Sequence, residues 1–585
     1  MKKYLISLLL FPLLLLTGCN EKQFLAERPL DFMGADNSYV SEADYTAAIT
    51  ELYYLVRQEF YSDYDYSLNL LDVSDVVIVA DPLKSNMLSS YNPTSGRPKA
   101  HWDRLYKLIS QANVVVSRLD ESDLNEGQRQ LFGARALFFR SLAYRTLAYL
   151  YGGVPIVTEE VSAPRKDFTR ASQAEVLARA IEDAEYAAKY LPEINAVKDG
   201  EISKPAAYTL LAELYLAAGR NEDAVNAATQ VIGNPNLALM KNRFGSRAGE
   251  EGDVYWDLFR RNNQNRASGN TEGIWVIQFE TNVPGGGNDT SHSFWNPGSF
   301  WLERFCAPQV NQFHIITPDG TPLTPFNWPI GDYTGGRGIG TFYSTPHMYR
   351  EIWAGDFDND IRNSQYNFPR RFKYHKPEVF GEYAELFGEY FDVDNPNLPE
   401  GFTMETGYAG GVTPSDQLPN RFMCGYQTKC TTPFNHPAEQ YMIPSIYMLS
   451  GTGGKTYTDQ YMFRLPEAYL LRAEAYLKMN QKDKAAADIN VVRERANASP
   501  CTEDEVDLDY ILDERMREFG IEEKRLLTLS RTGTVYDRIS RYNPYYAAEN
   551  SEDGKGIQAH YALMPIPQSV IEANTDAVLE QNPGY

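Results

Sequence analysis

Apolar residues recur at helical spacing through the first third of the chain. After Ser41, the residues Ala48, Ile49, Leu52, Tyr53 and Val56 fall on one face. Trp102, Leu105, Tyr106, Ile109, Ala112, Asn113 and Val116 make a second. Gln128 to Tyr151 is a longer segment rich in Ala, Leu, Phe and Arg, stopped by Gly152-Gly153 and Pro155. Ser172 with Glu175 forms a capping box that opens the next helix. The pattern predicts helix pairs on short connections over residues 41–233 and again over 460–585.

The second helical region repeats part of the first. Pro205, Tyr208, Leu210, Ala212, Glu213, Tyr215 and Leu216 coincide with Pro466, Tyr469, Leu471, Ala473, Glu474, Tyr476 and Leu477, and Ala224/Ala485 and Val231/Val492 continue the match. Small Ala at a helix crossing with large Tyr around it is the tetratricopeptide (TPR) pattern. Such helices act either as a peptide-binding groove or as scaffold. The copies lie far apart in the chain, which favours scaffold.

Between them, residues 234–459 lose helical periodicity. Gly and Pro become dense (Pro284 to Gly287, Gly335 to Gly338, Gly410-Gly411), and short apolar stretches such as Ile274 to Phe279 read as strands. The expected class is mostly α: a TPR-like helix-pair scaffold with a loop-rich lobe containing short strands. Lobes of that kind usually carry the site.

The amino terminus sets the compartment. Lys2 and Lys3 precede a short apolar run, Tyr4 to Leu16, below the roughly 20 residues a bilayer span needs, so it reads as a secretion signal. It ends Leu16-Thr17-Gly18-Cys19, which resembles the bacterial lipobox, in which the cysteine is acylated. Residues 1–18 are therefore expected to be a lipoprotein signal peptide, Cys19 the lipidation site, and residues 19–40 a lipidated tether.

The 585 residues carry a net charge of −23, and losing Lys2 and Lys3 makes it two units more negative. That balance argues against nucleic acid as a partner, because counterion release from a phosphate backbone needs a basic surface. Outside the cytoplasm, Cys424 and Cys430 are close enough to pair; the sequence leaves disulfide and free thiols open. With His436 they exceed the usual zinc spacing. Asp356, Asp358 and Asp360 are spaced like the start of a calcium loop, but Ile361 stands where the turn glycine belongs and Asn367 where the bidentate Glu belongs. No cofactor is implied, and structural calcium is the weaker alternative to a solvated acidic turn with Asp360 near Arg362. Gly336, Gly338 and Gly340 fail the dinucleotide spacing, and no G-x-S-x-G or H-E-x-x-H occurs. With 78 acidic residues, a carboxylate pair suited to glycoside hydrolysis stays open.

Several segments together resemble the SusD/RagB family of surface glycan-binding lipoproteins. They are the lipobox with Phe24-Leu25 and Pro29, Trp102 to Asn113, Arg135-Ala136-Leu137, and Tyr151-Gly152-Gly153-Val154-Pro155. Arg464 to Ala475, Ile489 to Arg495, Glu514-Arg515 with Glu518-Phe519 and Arg525, Pro565-Ile566-Pro567 and Gln581 to Tyr585 complete the series. The resemblance implies a non-enzymatic protein on the outer-membrane surface that binds an oligosaccharide and delivers it to a SusC-like TonB-dependent transporter. Its alternatives are a peptide-binding member of the same family and a glycoside hydrolase. Glu514, Arg515, Glu518 and Arg525 read as a helix-borne charge network rather than catalytic groups.

Family members share no binding motif, so the site rests on chemistry. A sugar offers apolar C–H faces and a hydroxyl rim, and asks for aromatic platforms beside planar polar groups. Six of the seven Trp fall between Trp256 and Trp353. Within Gly/Pro-rich sequence the candidates are Trp295, Asn296, Trp301, Trp328 and Tyr333. The resemblance adds Asp75, Asp81, Asn86, Tyr91 and Arg97 from an earlier inter-helix loop. Trp102 and Trp275 are expected in the core, and Trp256 and Trp353 are undecided.

Overall fold

In the computed structural model, residues 38–62, 69–80, 88–281, 283, 287–288, 300–407, 416–547 and 556–585 are described. Six long helices come first: α1 Glu42–Phe60, α2 Gly96–Ser117, α3 Glu126–Tyr151, α4 Gln173–Tyr190, α5 Lys204–Ala217 and α6 Asn221–Ile232. Side-chain caps set the starts of α1, α3 and α4. Ser41 with Asp44, Asn125 with Gln128 and Ser172 with Glu175 each form a reciprocal capping box. At the end of α3, Gly152 takes φ 74°, a conformation that glycine tolerates and other residues resist. Among the described residues no helix is long and apolar enough to cross a membrane.

Helices α2 to α6 pack each on the next. A buried polar crossing ties the first three: Arg140 of α3 holds the Asp183 carboxylate of α4 at 2.7 and 2.8 Å and the Asn113 side chain of α2 at 2.8 Å. Asn113 in turn donates to the carbonyls of Val157 and Glu159, fixing the strap after Gly152-Gly153.

The chain then leaves the array and returns to it. Helix α7 (Leu302–Cys306) lies inside the excursion, and α8 Leu465–Lys478, α9 Lys482–Arg495, α10 Leu508–Phe519, α11 Arg525–Thr532 and α12 Val535–Tyr542 follow. Helix α8 docks on α6 and α5, and Arg472 donates to Thr229 at 3.0 Å across the join. The two sequence repeats are thus neighbours, and the array runs α2 to α6 and on into α8 and α9. Both repeats carry a proline in the first turn, where its missing N–H costs nothing. Their matched glutamates face arginines: Glu474 accepts from Arg531 at 2.7 Å to both oxygens, and Glu213 lies 3.7 Å from Arg145. The fold is mostly α, with a TPR-like helical scaffold.

Short strands close the excursion. Strand β2 (Gly273–Ile277), following β1 (Val77–Val79) in the chain, pairs antiparallel with the strand that enters α8, Gln460–Arg464. Trp275 lies beneath that pair, 1 % exposed, against Phe138, Phe139 and Phe463. Strand β1 pairs with β3 (Phe342–Ser344), and β4 (Tyr441–Ile443) with β5 (Met448–Leu449).

Buried ion pairs fasten the loop-rich part to the helices. Glu514 accepts from Arg362 at 2.7 Å and from Arg493 and Arg517 at 2.8 Å, and Glu518 accepts from Arg464, Arg362 and Arg495. Burial raises the cost of these charges, and the surrounding guanidinia outweigh it, so both carboxyls stay well below their ordinary pKa. The motif acids and arginines of α10 and α11 are therefore structural, as their placement in the sequence suggests. Asp356 and Asp360 are spent here too. Asp356 holds Arg493 and Ser499, and Asp360 holds Arg362. Among the described residues no group of three or more His, Cys, Asp or Glu is placed to hold a metal. Cys306, Cys424, Cys430 and Cys501 are buried free thiols, so Cys424 and Cys430 are not bonded to each other.

Candidate functional site

The sequence candidates separate sharply. Asp75 is fully buried, with Arg525 at 2.8 Å on each oxygen and Arg538 at 2.8 Å. Arg97 is fully buried and holds both oxygens of Asp72 at 2.7 Å, with Tyr91, 3 % exposed, stacked beside it. Burial raises the Asp72 carboxyl to about 6 against the pull of Arg97. These three residues are corrected to structural roles, because all three are buried and the charges of Asp75 and Arg97 are paired inside the protein. Trp301 is 3 % exposed at the start of α7, its ring covered by Arg304 at 4.7 Å and Lys455 at 5.4 Å. It plugs the core and offers no platform. Trp256 and Trp353 are buried as well, Trp256 between the guanidinia of Arg247 and Arg260. Trp102 and Trp275 are in the core as expected. Asp81, Asn86, Trp295, Asn296 and Cys19 lie outside the described residues.

Trp328 and Tyr333 remain, half-buried in one loop. Arg337 of that loop sits over the Trp328 ring at 4.4 Å, and Lys376 donates to the Trp328 carbonyl. Tyr333 stacks on Phe434, with centroids 5.8 Å apart and planes 19° off parallel. Phe434 meets Tyr447 edge-on at 5.0 Å, and Tyr447 meets Tyr441 at 6.0 Å. Phe434 is 45 % exposed and Tyr447 41 %. The result is a shelf of aromatic rings on two loops, with Arg337 and Lys376 beside it. Exposed aromatics clustered in this way are a surface a monomeric protein rarely leaves without purpose.

A buried charge cluster holds the shelf in place. His436 lies between Glu303 of α7 at 2.7 Å and Asp332 at 3.2 Å, all three out of solvent. Burial pushes the imidazolium down, and the two carboxylates outweigh it, so its pKa rises to about 9. Asp332 also accepts from the Tyr441 hydroxyl at 2.7 Å and the Phe434 backbone N–H at 2.6 Å, while its own N–H donates to the Tyr447 carbonyl at 3.0 Å. Phe434 and Tyr447 both have positive φ, 64° and 55°. For bulky residues that conformation costs about 1–3 kcal/mol each and persists only when the surroundings impose it. One buried aspartate thus holds both strained aromatics. Nearby, burial pushes His375 down to about 4, which leaves it a neutral neighbour of the Tyr333 ring.

Phe434, Tyr441 and Tyr447 escaped the sequence reading, which weighed tryptophan above tyrosine and phenylalanine. Their signal was present: aromatics among Pro433, Pro437 and Pro444 sit in the same kind of setting that singled out Trp328.

Comparison with known proteins decides the family. Residues 329–585 match the model described as the SusD family, and residues 30–216 match one described as starch-binding and associating with the outer membrane. The chain belongs to the SusD/RagB family. Over 97 % of both chains it is 22 % identical to SusD-like protein P25 of Formosa agariphila. A segment of 128 residues, 22 % of each chain, is 37 % identical to the starch-binding protein SusD of Bacteroides thetaiotaomicron. A solved laminarin-binding SusD-like protein superposes with a TM-score of 0.60 at 21 % identity, covering 94 % of this chain and all of that one. Surface glycan-binding protein A of B. thetaiotaomicron, solved with laminarihexaose, gives 0.61 at 16 %, covering 92 % and 99 %. As in its SusD/RagB relatives of known structure, the fold is shared along nearly the whole chain, while identity stays low.

Proposed function

We propose that this SusD/RagB protein captures an oligosaccharide at the outer-membrane surface, on the shelf of Trp328, Tyr333, Phe434 and Tyr447, and passes it to a SusC-like TonB-dependent transporter. The observation that carries the reading is the pair of exposed aromatics held at positive φ by a buried aspartate. A sugar's C–H face stacks on such rings, and its hydroxyl rim meets Arg337 and Lys376. Relatives solved or named with laminarin, laminarihexaose and starch support a glycan as the ligand. Cys19 supplies the anchor through its acyl chains, each buried CH₂ adding about 0.8 kcal/mol. The protein binds without turnover.

Calorimetry of the mature chain against a panel of neutral glucans and of peptides tests the ligand class. Glucan binding is expected, with no new reducing ends on prolonged incubation. Trp328→Ala and Tyr447→Ala are each expected to weaken it by about 1–3 kcal/mol, the range for a stacked ring. Sustained release of reducing ends, or tight peptide binding with no glucan response, contradicts the reading.

A further inference from the structure

A second cleft, of about 670 Å³, lies between α1 and β2, lined by Thr50, Tyr54 and Arg57 on one side and Val276 and Ile277 on the other. Arg57 is 9 % exposed. Its guanidinium is flanked by the Tyr54 and Phe279 rings, 5.9 and 5.7 Å from their centroids. Its Nε is buried with no partner, and among the described residues no carboxylate pairs with it. The buried arginines Arg97, Arg464, Arg525 and Arg538 each hold a carboxylate, and the buried Arg260, which pairs with none among the described residues, donates to the carbonyls of Trp256 and Thr428. Of the four acids on the cleft's rim, three pair elsewhere, Glu51 with Lys107, Asp199 with Arg266 and Glu201 with Arg135, and the exposed Glu280 accepts from the Thr281 backbone N–H. Burying an unpaired charge is costly, and an anion in the cleft removes the cost.

We propose that this cleft is a second binding site, for a sugar residue bearing a carboxylate or sulfate, with Arg57 as its anion contact. A planar guanidinium edge matches either group with two hydrogen bonds. The Tyr54 ring with Val276 and Ile277 suits the apolar face of a pyranose, and the volume is that of an ordinary small-ligand site. Burial already lowers the Arg57 pKa, and an anion restores it. The site shares no residue with the aromatic shelf, so the two stand or fall separately.

The test uses the full mature chain, with glucuronic acid and galactose 6-sulfate as probes and glucose as the neutral control, read by saturation-transfer NMR and calorimetry. Both acidic sugars are expected to bind saturably and at least tenfold more tightly than glucose. Arg57→Gln is expected to abolish that preference, Arg57→Lys to keep part of it, and neither to change glucan binding at the shelf. Because Arg57→Gln removes an unpaired buried charge, it is expected to melt no lower than the parent. Thr50→Trp, at an exposed position on the cleft wall, is expected to give the same loss without touching the charge. Equal binding of acidic and neutral sugars, or an acidic-sugar affinity unchanged in both Arg57→Gln and Thr50→Trp, overturns the proposal.

Discussion

Asp332 connects three kinds of interaction in one side chain. Its carboxylate takes the Phe434 N–H, the Tyr441 hydroxyl and the His436 imidazole, and its own N–H caps Tyr447. Asp332→Ala removes the carboxylate but keeps the backbone N–H, so it is expected to free Phe434 from positive φ, to leave Tyr447 its hydrogen bond, and to weaken glucan binding by about 1–3 kcal/mol. It is also expected to destabilise the fold by about 3–5 kcal/mol, the usual cost of breaking a buried charge pair. Binding calorimetry and urea denaturation read the two effects separately. The same cluster makes stability depend on pH. The His436 pKa in the folded chain, about 9, lies above the ordinary 6.5. Its contribution is thus complete below pH 6.5 and is lost as pH rises through about 9. Urea denaturation from about pH 6 to about pH 10 is expected to show a fall of roughly 3 kcal/mol, which His436→Gln flattens. At this scale the sequence misled as often as it guided. Asp75, Tyr91, Arg97 and Trp301 have the right chemistry for a sugar, but composition cannot reveal that Arg525 and Arg538 reach Asp75 from hundreds of residues away.

Helices were legible because a 3.6-residue period writes the buried face directly into the sequence. The capping box at Ser172, the stop at Gly152-Gly153 and the repeat at Pro205 and Pro466 all have local causes. The packing of the second repeat on the first was not legible, since the sequence shows resemblance between helices but not adjacency. Glu474 gives that joint an energetic handle. Glu474→Ala leaves Arg531, 1 % exposed in its side chain, without its carboxylate, and is expected to cost about 3–5 kcal/mol. A urea titration checks it; a loss under 1 kcal/mol contradicts the pairing as drawn. The excursion between α6 and α8 had no such period. Its order comes from contacts distant in sequence, such as β2 with the strand before α8 and Arg362 with Glu514 and Glu518.

On the scale of the whole molecule, the net charge of −23 hides an uneven distribution. Glu514 and Glu518 of α10 are consumed in holding the loop-rich part to the scaffold, and cations remain beside the aromatic shelf and in the α1 cleft. The scaffold thus serves as the mount for the two proposed binding surfaces, and the motifs that identify the family belong to the mount. That explains why family and fold were readable early while the ligand-facing residues were not. Anchoring belongs to this scale as well: Cys19→Ala is expected to abolish acyl labelling and release the protein from the membrane fraction, checked by metabolic labelling with palmitate. The central claim is that the shelf itself holds the sugar. A crystal structure of the mature chain soaked with the tightest-binding glucan of the panel tests it most directly. Sugar rings stacked on Phe434 and Tyr447 within reach of Trp328 and Arg337 are the expected result; sugar bound elsewhere, with the shelf bare, contradicts that claim.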